Sequence, residues 1–161
     1  MREINVSQIT DVVERLCIEA NTHLPGDVKC AIRECRACED WDIAKGVLDN
    51  IITNFEIADN ENVPICQDTG LPTFKIKTPI GVNQLELKQA IQNAMVQATK
   101  NGKMRPNSVD SISGDNSGDN LGIGLPVVKF EQWEKDYIDV RLILKGGGCE
   151  NKNIQYSLPC E

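Results

Sequence analysis

A chain of 161 residues, 40% hydrophobic and 25% charged, is long enough for one domain with a substantial core. With 24 acidic against 17 basic side chains the net charge is −7, and only 4% of residues are aromatic, so neither a phosphate-tracking nor a base-stacking surface is expected and nucleic acid is excluded as a partner. No apolar run approaches the ~20 residues of a membrane span, and Met1-Arg2-Glu3-Ile4-Asn5 lacks a signal core, so no membrane partner is expected. Seven cysteines, an odd number without secretory context, point to a reduced, cytoplasmic protein with a metal-bound or reactive thiol rather than a disulfide framework.

The first third reads as helices. Ser7 can cap a helix with Ile9, Val12, Val13, Leu16 and Ala20 on its apolar face, ended by His23-Leu24-Pro25-Gly26. Asp27 can cap a second helix running to about Cys38. Asp40 opens a third, with Ile43, Ala44, Val47, Leu48, Ile51 and Phe55 on one stripe. After the polar break Asn60-Glu61-Asn62 the period changes. Phe74-Lys75-Ile76-Lys77 alternates as a strand with one wet face. Asn83 followed by Glu86 has the spacing of a helix-opening cap, continued by Leu87, Ile91, Ala94, Met95 and Ala98. Residues 101–124 carry little periodicity and much Gly, Asn, Asp and Ser, and a loop of that length inside a compact domain is usually functional or disordered. Pro126–Phe130 and Tyr137–Leu144 read as strands joined by a hairpin-sized connection. The expected class is α+β (mixed α/β), a single domain with N-terminal helices packed on a small mixed sheet.

Three segments carry the chemistry. Pro64-Ile65-Cys66-Gln67-Asp68-Thr69-Gly70 places a soft metal ligand, an amide, a carboxylate and a hydroxyl in one tight loop bracketed by Pro and Gly. On spacing alone, a ligand thiol and a buried inert cysteine fit Cys66 equally, and Asp68 fits both a substrate-facing carboxylate and an Asx cap on the Gly70 N–H. Arg105 precedes Pro106, which biases it to extended or turn geometry, and its guanidinium can grip a carboxylate in a two-point fork. Lys145-Gly146-Gly147-Gly148 follows a strand, where glycines permit unusual backbone angles and close approach, and successive N–H groups make a nest for an anion. The P-loop spacing is absent, so nucleotide binding is not supported.

Taken together, the Cys-Gln-Asp-Thr-Gly loop, Arg105-Pro106-Asn107-Ser108-Val109-Asp110, Gly114-Asp115-Asn116-Ser117-Gly118-Asp119-Asn120 and the Lys145–Lys152 segment resemble the alpha subunit of the oxygen-sensitive iron–sulfur hydro-lyases, the class I fumarase and L(+)-tartrate dehydratase family. The resemblance is strong over residues 60–161 and weak over the N-terminal helices. Its closing run, Gly146 to Cys160, is more similar to the tartrate dehydratase branch. The resemblance implies a 4Fe-4S hydro-lyase removing water from a small hydroxy-dicarboxylic acid, L(+)-tartrate to oxaloacetate in the first instance, with fumarate/malate chemistry or a non-catalytic anion-binding or assembly domain as alternatives. Cys66 would be the metal ligand. Gln67 and Asp68 would be catalytic and substrate-binding, and Arg105 and Gly148 substrate-binding. The remaining cluster ligands are expected beyond residue 161, so the chain reads as the N-terminal portion of an alpha subunit, truncated at its C-terminus and inactive by itself. The catalytic base is expected from a partner beta subunit, within an oligomer.

Other tempting groups are set aside. Cys149 and Cys160 do not match the family's further ligands. Cys30, Cys35 and Cys38 have part of a ferredoxin spacing, but the surrounding apolar residues keep a helical period. Asp115, Asn116, Asp119 and Asn120 resemble a calcium loop but break the EF-hand pattern.

Overall fold

A computed structural model describes residues 3–68 and 71–157, without the side chains of 149–151. Thr69, Gly70, Cys160 and the Cys149 side chain therefore lie outside the described residues. The element order is α1 (Val6–Thr22), α2 (Gly26–Cys38), α3 (Asp42–Glu61), β1 (Leu71–Pro79), α4 (Gln84–Lys100), β2 (Val127–Trp133), β3 (Asp139–Lys145) and α5 (Gly147–Lys152). The fold is α+β, as expected.

Helix α4 follows its local signals closely. The Asn83 side chain accepts from the Leu85 N–H at 3.1 Å, and its amide donates to Glu86 at 2.8 Å, capping the first turn. Leu87, Ile91, Ala94, Met95 and Ala98 are all buried. The N-terminal helices start elsewhere than expected. Asn5, not Ser7, caps α1 by accepting from the Gln8 N–H at 3.0 Å. Helix α2 begins at Gly26, so Asp27 lies in its first turn. Trp41, not Asp40, is the residue flanking α3, and Glu39 reaches over both to accept from the Asp40 and Trp41 N–H groups at 3.0 Å.

The buried stripe of α1 is Thr10, Val13, Cys17 and Asn21, rotated from the expected face, so Val12 is left 47% exposed. The expected stripe of α3 is buried only at Phe55, while Ile43, Val47 and Ile51 are exposed. Helix α2 buries no residue and is tied to α3 by Lys29–Asp59, Arg33–Glu56 and Arg36–Asp49 ion pairs. Arg36 grips Asp49 with two nitrogens, at 2.6 and 3.0 Å, which holds the Asp49 carboxyl below the usual range. Periodicity thus located both helices, but it could not tell which apolar residues have a neighbour to cover them.

The core joins Val13 and Cys17 of α1 to Phe74 and Ile76 of β1 and to the apolar face of α4. Among the N-terminal helices, α1 is the one that contributes to it. Strand β1 is central: the sheet order is β2-β1-β3, with β1 parallel to β2 and antiparallel to β3. The hairpin-sized connection after β2 therefore joins strands on either side of β1. It need cross only two strand spacings, about 10 Å, well within reach of five residues. Phe74 pairs with Val128 and Leu142, and Ile76 with Phe130 and Val140, so the apolar face is continuous across all three strands. Placing the strand with two fully buried large side chains in the middle covers it from both sides. The opposite face is wet, with Lys75 and Lys77 near Glu131.

This topology fixes where the candidate segments go. Parallel β1 and β2 begin at the same end of the sheet, and antiparallel β3 finishes there, with Leu71 opposite Lys145 and Thr73 opposite Val127. The cysteine loop before β1, the 101–126 loop before β2 and the glycine turn after β3 must therefore meet at that end.

Candidate functional site

The cysteine loop is pinned residue by residue. The Ile65 N–H donates to the Asn21 carbonyl of α1 at 3.0 Å, and the Asn54 amide of α3 donates to the Ile65 carbonyl at 3.0 Å. The Asn107 amide donates to the Gln67 carbonyl at 2.8 Å. The Asp68 N–H points back at the Cys66 sulfur, 3.4 Å away. Cys66, Gln67 and Asp68 are exposed despite these restraints, so the loop is fixed by its backbone and presents its side chains outward.

The glycine turn already holds an anion, and that anion belongs to the chain. Asp68 Oδ1 accepts from the Gly147 N–H at 2.9 Å, and Oδ2 from the Gly148 N–H at 3.0 Å. A carboxylate across two successive N–H groups is the nest chemistry read from the sequence, filled here by Asp68. The expected Asp68 cap on Gly70 falls outside the described residues. Of the two reasons expected for the glycines, unusual backbone angles and close approach, the structure shows the second, with Asp68 as the approaching group. None of Gly146, Gly147 and Gly148 has a positive φ. A Cβ at Gly146 would lie 2.8 Å from both the Asp68 carbonyl and Oδ2, and one at Gly148 would lie 3.1 Å from Oδ2. Close approach of Asp68, not backbone angle, demands the missing side chain at Gly146 and Gly148.

The 101–124 loop is ordered by side-chain amides. Asn120 is fully buried with φ 59°, a left-handed conformation that asparagine tolerates better than most residues. Its amide donates to the Arg105 carbonyl at 2.7 Å and to Thr99 Oγ1 at 3.0 Å, and its carbonyl accepts from the Asn107 N–H at 2.8 Å. The Asn116 amide donates to the Pro106 carbonyl at 2.7 Å. The Ser113 and Ile112 N–H groups, 2.8 Å from Asp110 Oδ1, hold its carboxyl below the usual carboxylate range, and the Leu121 N–H does the same for Asp119. Of the calcium-like residues, Asn116, Asp119 and Asn120 thus use their side chains to hold the loop to itself and to α4. Its concave side encloses a cavity of about 640 Å³, lined by Ser108, Asp110, Ser113, Asn116, Leu121 and Ile123 among others. None of Cys66, Gln67, Asp68, Arg105 and Gly148 lines it.

The structure therefore brings the expected residues to one sheet end. Asn107 links Gln67 to the backbone beside Arg105, whose guanidinium is exposed, and Asp68 links the cysteine loop to Gly148. Sequence reasoning missed Asn107 and Asn120. Asparagine in a Gly- and Asp-rich loop signals a left-handed turn, but nothing local tells which carbonyls its amide will reach.

An iron–sulfur cluster needs several thiolates. Among the described residues no three His, Cys, Asp or Glu side chains converge as a metal site. Cys66 can serve as one corner. Cys17 instead lies buried in the hydrophobic core beside Val13, where burial, with Glu14 nearby, pushes its thiol up to about 12. Cys30, Cys35 and Cys38 are exposed along α2, in keeping with their helical spacing, and Cys30 donates to Glu34 at 3.4 Å. These cysteines and Cys66 form no disulfide among themselves. No helix among the described residues is long and apolar enough to cross a membrane.

Comparison with known proteins gives the family. A family model described as Fumarate hydratase (Fumerase) matches residues 10–161. The chain is 60% identical over 157 residues to a protein provisionally named class I fumarate hydratase from Geobacillus stearothermophilus, covering 97% of this chain and 30% of that one. It is 36% identical over 149 residues to a protein provisionally named L(+)-tartrate dehydratase subunit alpha from Methanocaldococcus jannaschii, covering 89% and 52%. It is 29% identical over 150 residues to the L(+)-tartrate dehydratase subunit alpha of Escherichia coli K12, covering 89% and 48%. The chain spans between about a third and a half of the length of these relatives. With the family pattern running from α1 to the last residue, the chain belongs to the fumarate hydratase (Fumerase) family.

Proposed function

We propose that this chain is the N-terminal portion of the alpha component of an iron–sulfur hydro-lyase acting on four-carbon hydroxy-dicarboxylic acids. The observation that carries the reading is the meeting of Cys66, the backbone of Arg105–Asn107 and the Gly147–Gly148 turn at one end of the sheet, in a chain of this family. When bound, a 4Fe-4S cluster would supply an open iron that acts as a Lewis acid toward a hydroxyl and its adjacent carboxylate. Cys66 would give one thiolate to it. The other ligands would come from segments of the complete protein beyond this chain, which would also close the exposed face of the site.

The residues of this chain bind and orient. Arg105 would hold a substrate carboxylate in a bidentate fork, reaching in from a backbone whose carbonyl is fixed by Asn120. The Gln67 amide, beside the thiolate, can both donate to and accept from the substrate hydroxyl. Both oxygens of the Asp68 carboxylate accept from the glycine turn, and a remaining lone pair would accept from a substrate hydroxyl. Gly148 would be the substrate-adjacent backbone. Dehydration removes hydroxide from one carbon and a proton from its neighbour. The base for that proton would come from a beta component, a division suggested by the alpha naming of two relatives. A reduced, cytoplasmic setting and an oligomeric assembly complete the reading.

Two substrates remain in view. Identity of 60% to the fumarate hydratase-named relative favours fumarate and malate. The closing Gly146–Cys160 run favours tartrate. The deciding experiment is anaerobic reconstitution of the complete protein with iron and sulfide, followed by parallel assays of fumarate hydration and L(+)-tartrate dehydration. Conversion of either acid is expected. A fully loaded protein that converts neither would leave only the anion-binding module.

A further inference from the structure

The loop restraints differ in kind. Ile65 is held by groups on α1 and α3, and Asp68 by the turn after β3. The Arg105 backbone and Gln67 are instead held through one buried side chain that the chemistry itself would never touch. Asn120 has no exposed surface and uses three hydrogen bonds. One goes to Thr99 Oγ1, which in turn donates to the Met95 carbonyl at 2.7 Å, so the anchor is the last turns of the core helix α4. The second fixes the Arg105 carbonyl and the third the Asn107 N–H. Asn107 then extends its own amide to the Gln67 carbonyl, next to Cys66. The path α4–Thr99–Asn120–Asn107–Gln67 is unbroken, with Arg105 on a branch of it.

We propose that Asn120 is a positioning residue that, acting through Asn107, sets the carboxylate-gripping Arg105 in register with the cysteine loop. The inference rests on the hydro-lyase reading for Arg105, but the linkage itself is a property of the fold. A buried amide with its hydrogen bonds satisfied and a left-handed backbone is a costly arrangement to build for a loop that needed only to be closed. It fixes one carbonyl, that of Arg105, and one N–H, that of Asn107, relative to α4, so the three-residue segment is held at both ends rather than tethered at one. The Asn116 amide on the Pro106 carbonyl adds a further restraint on the same segment.

The test uses the complete protein with Asn107→Ala and Asn120→Asp. Asn107→Ala cuts only the link to Gln67 at a half-buried position, so it folds even if Asn120 variants do not. Asn120→Asp keeps an acceptor for the Asn107 N–H and loses both donors. The first readout is the alkylation rate of Cys66 by iodoacetamide in cluster-free protein, resolved by mass spectrometry, with Cys30 on α2 as the internal reference. The second is the split between KM and kcat after anaerobic reconstitution. In Asn107→Ala we expect an unchanged melting temperature, a rise of about threefold or more in the Cys66 rate at constant Cys30 rate, and a loss of about fivefold or more in kcat/KM carried mainly by KM. An unchanged Cys66 rate in both variants overturns the proposal, as does a loss that only tracks the fraction folded. If the wild-type protein turns over neither acid while the Cys66 rate still rises, the enzyme reading fails and the linkage stands.

Discussion

In α4, Leu87, Ala90, Ile91, Ala94, Met95 and Ala98 have no exposed surface, and their neighbours are apolar side chains of α1 and β1. In the loop that follows, the residues of segment 111–118 are all exposed, and order comes from asparagine and aspartate side chains bonded to backbone groups. The body is held by burial, which is non-directional and forgives small shifts. The sheet end is held by hydrogen bonds, each with a fixed length and direction. A core can be repacked with similar volumes and remain folded. A loop held by amide-to-carbonyl bonds fixes where its polar groups point, and a site that must hold a dicarboxylate needs that. If the two regions are independent in this way, substitutions in one should leave the other's property intact.

The largest expected effect is Cys66→Ser in the complete enzyme. A hydroxyl replaces an exposed thiol of similar size, so packing barely changes, while affinity for a soft iron site collapses. Turnover should fall to background with the melting temperature within a degree or two of wild type. Near-normal turnover would remove Cys66 from the chemistry.

The reverse experiment comes next. Ile91→Ala empties a fully buried position in the α4 face, and such truncations cost about 2–5 kcal/mol. The denaturation midpoint should drop accordingly, with kcat per folded molecule unchanged. A parallel loss of specific activity would show that core and site are coupled, and the contrast between the regions would fail.

What could be read from the sequence divides along the same line. Helix α4 was fully legible, because its cap and its stripe depend on residues three or four apart. The Cys66 loop, Arg105 and the Gly146–Gly148 turn were legible as segments, since their residue types are unusual together. The central place of β1 was not, because strand pairing is decided by partners some fifty to seventy residues away. The exposed Ile43, Val47 and Ile51 escaped for a related reason: a period of 3.6 marks an apolar face but not what lies against it. The nest after β3 was legible as chemistry, while its occupation by Asp68 needed the fold to bring residues 68 and 147 together.

A smaller effect is expected from Arg105→Lys, which keeps the charge and loses the planar fork. The Asn120 and Asn116 restraints fix the backbone, not the side-chain head, so lysine would sit in the same place with one contact fewer. The loss in kcat/KM should be about 2 kcal/mol, the scale of a charge-assisted hydrogen bond, or roughly thirtyfold. Stability should not change, because the side chain is exposed. A change below about threefold would make Arg105 an ordinary surface residue.

The smallest and most discriminating effect concerns two adjacent glycines. A methyl at Gly147 would meet Asp68 Oδ1 at 3.8 Å, ordinary contact, whereas one at Gly148 would meet Oδ2 at 3.1 Å and push the carboxylate by a few tenths of an ångström. Neither position has a positive φ, so backbone strain is the same for both. Alanine should therefore be nearly neutral at Gly147. At Gly148 it should disturb the Asp68 clamp and, through it, the loop that carries Cys66. Because the turn is exposed at Gly148, stability should fall by no more than about 1 kcal/mol, while activity falls about tenfold, since an oriented anion contact is displaced where charge has to be held. Denaturant midpoints and reaction rates for the two variants, measured side by side, separate the causes. Equal losses at 147 and 148 would mean that any side chain in the turn is harmful and that the Asp68 approach is not the reason. A steep drop in midpoint at 148 with an unchanged rate per folded molecule would move the turn from the site to the body, and the line between the two regions would have to be redrawn at Lys145.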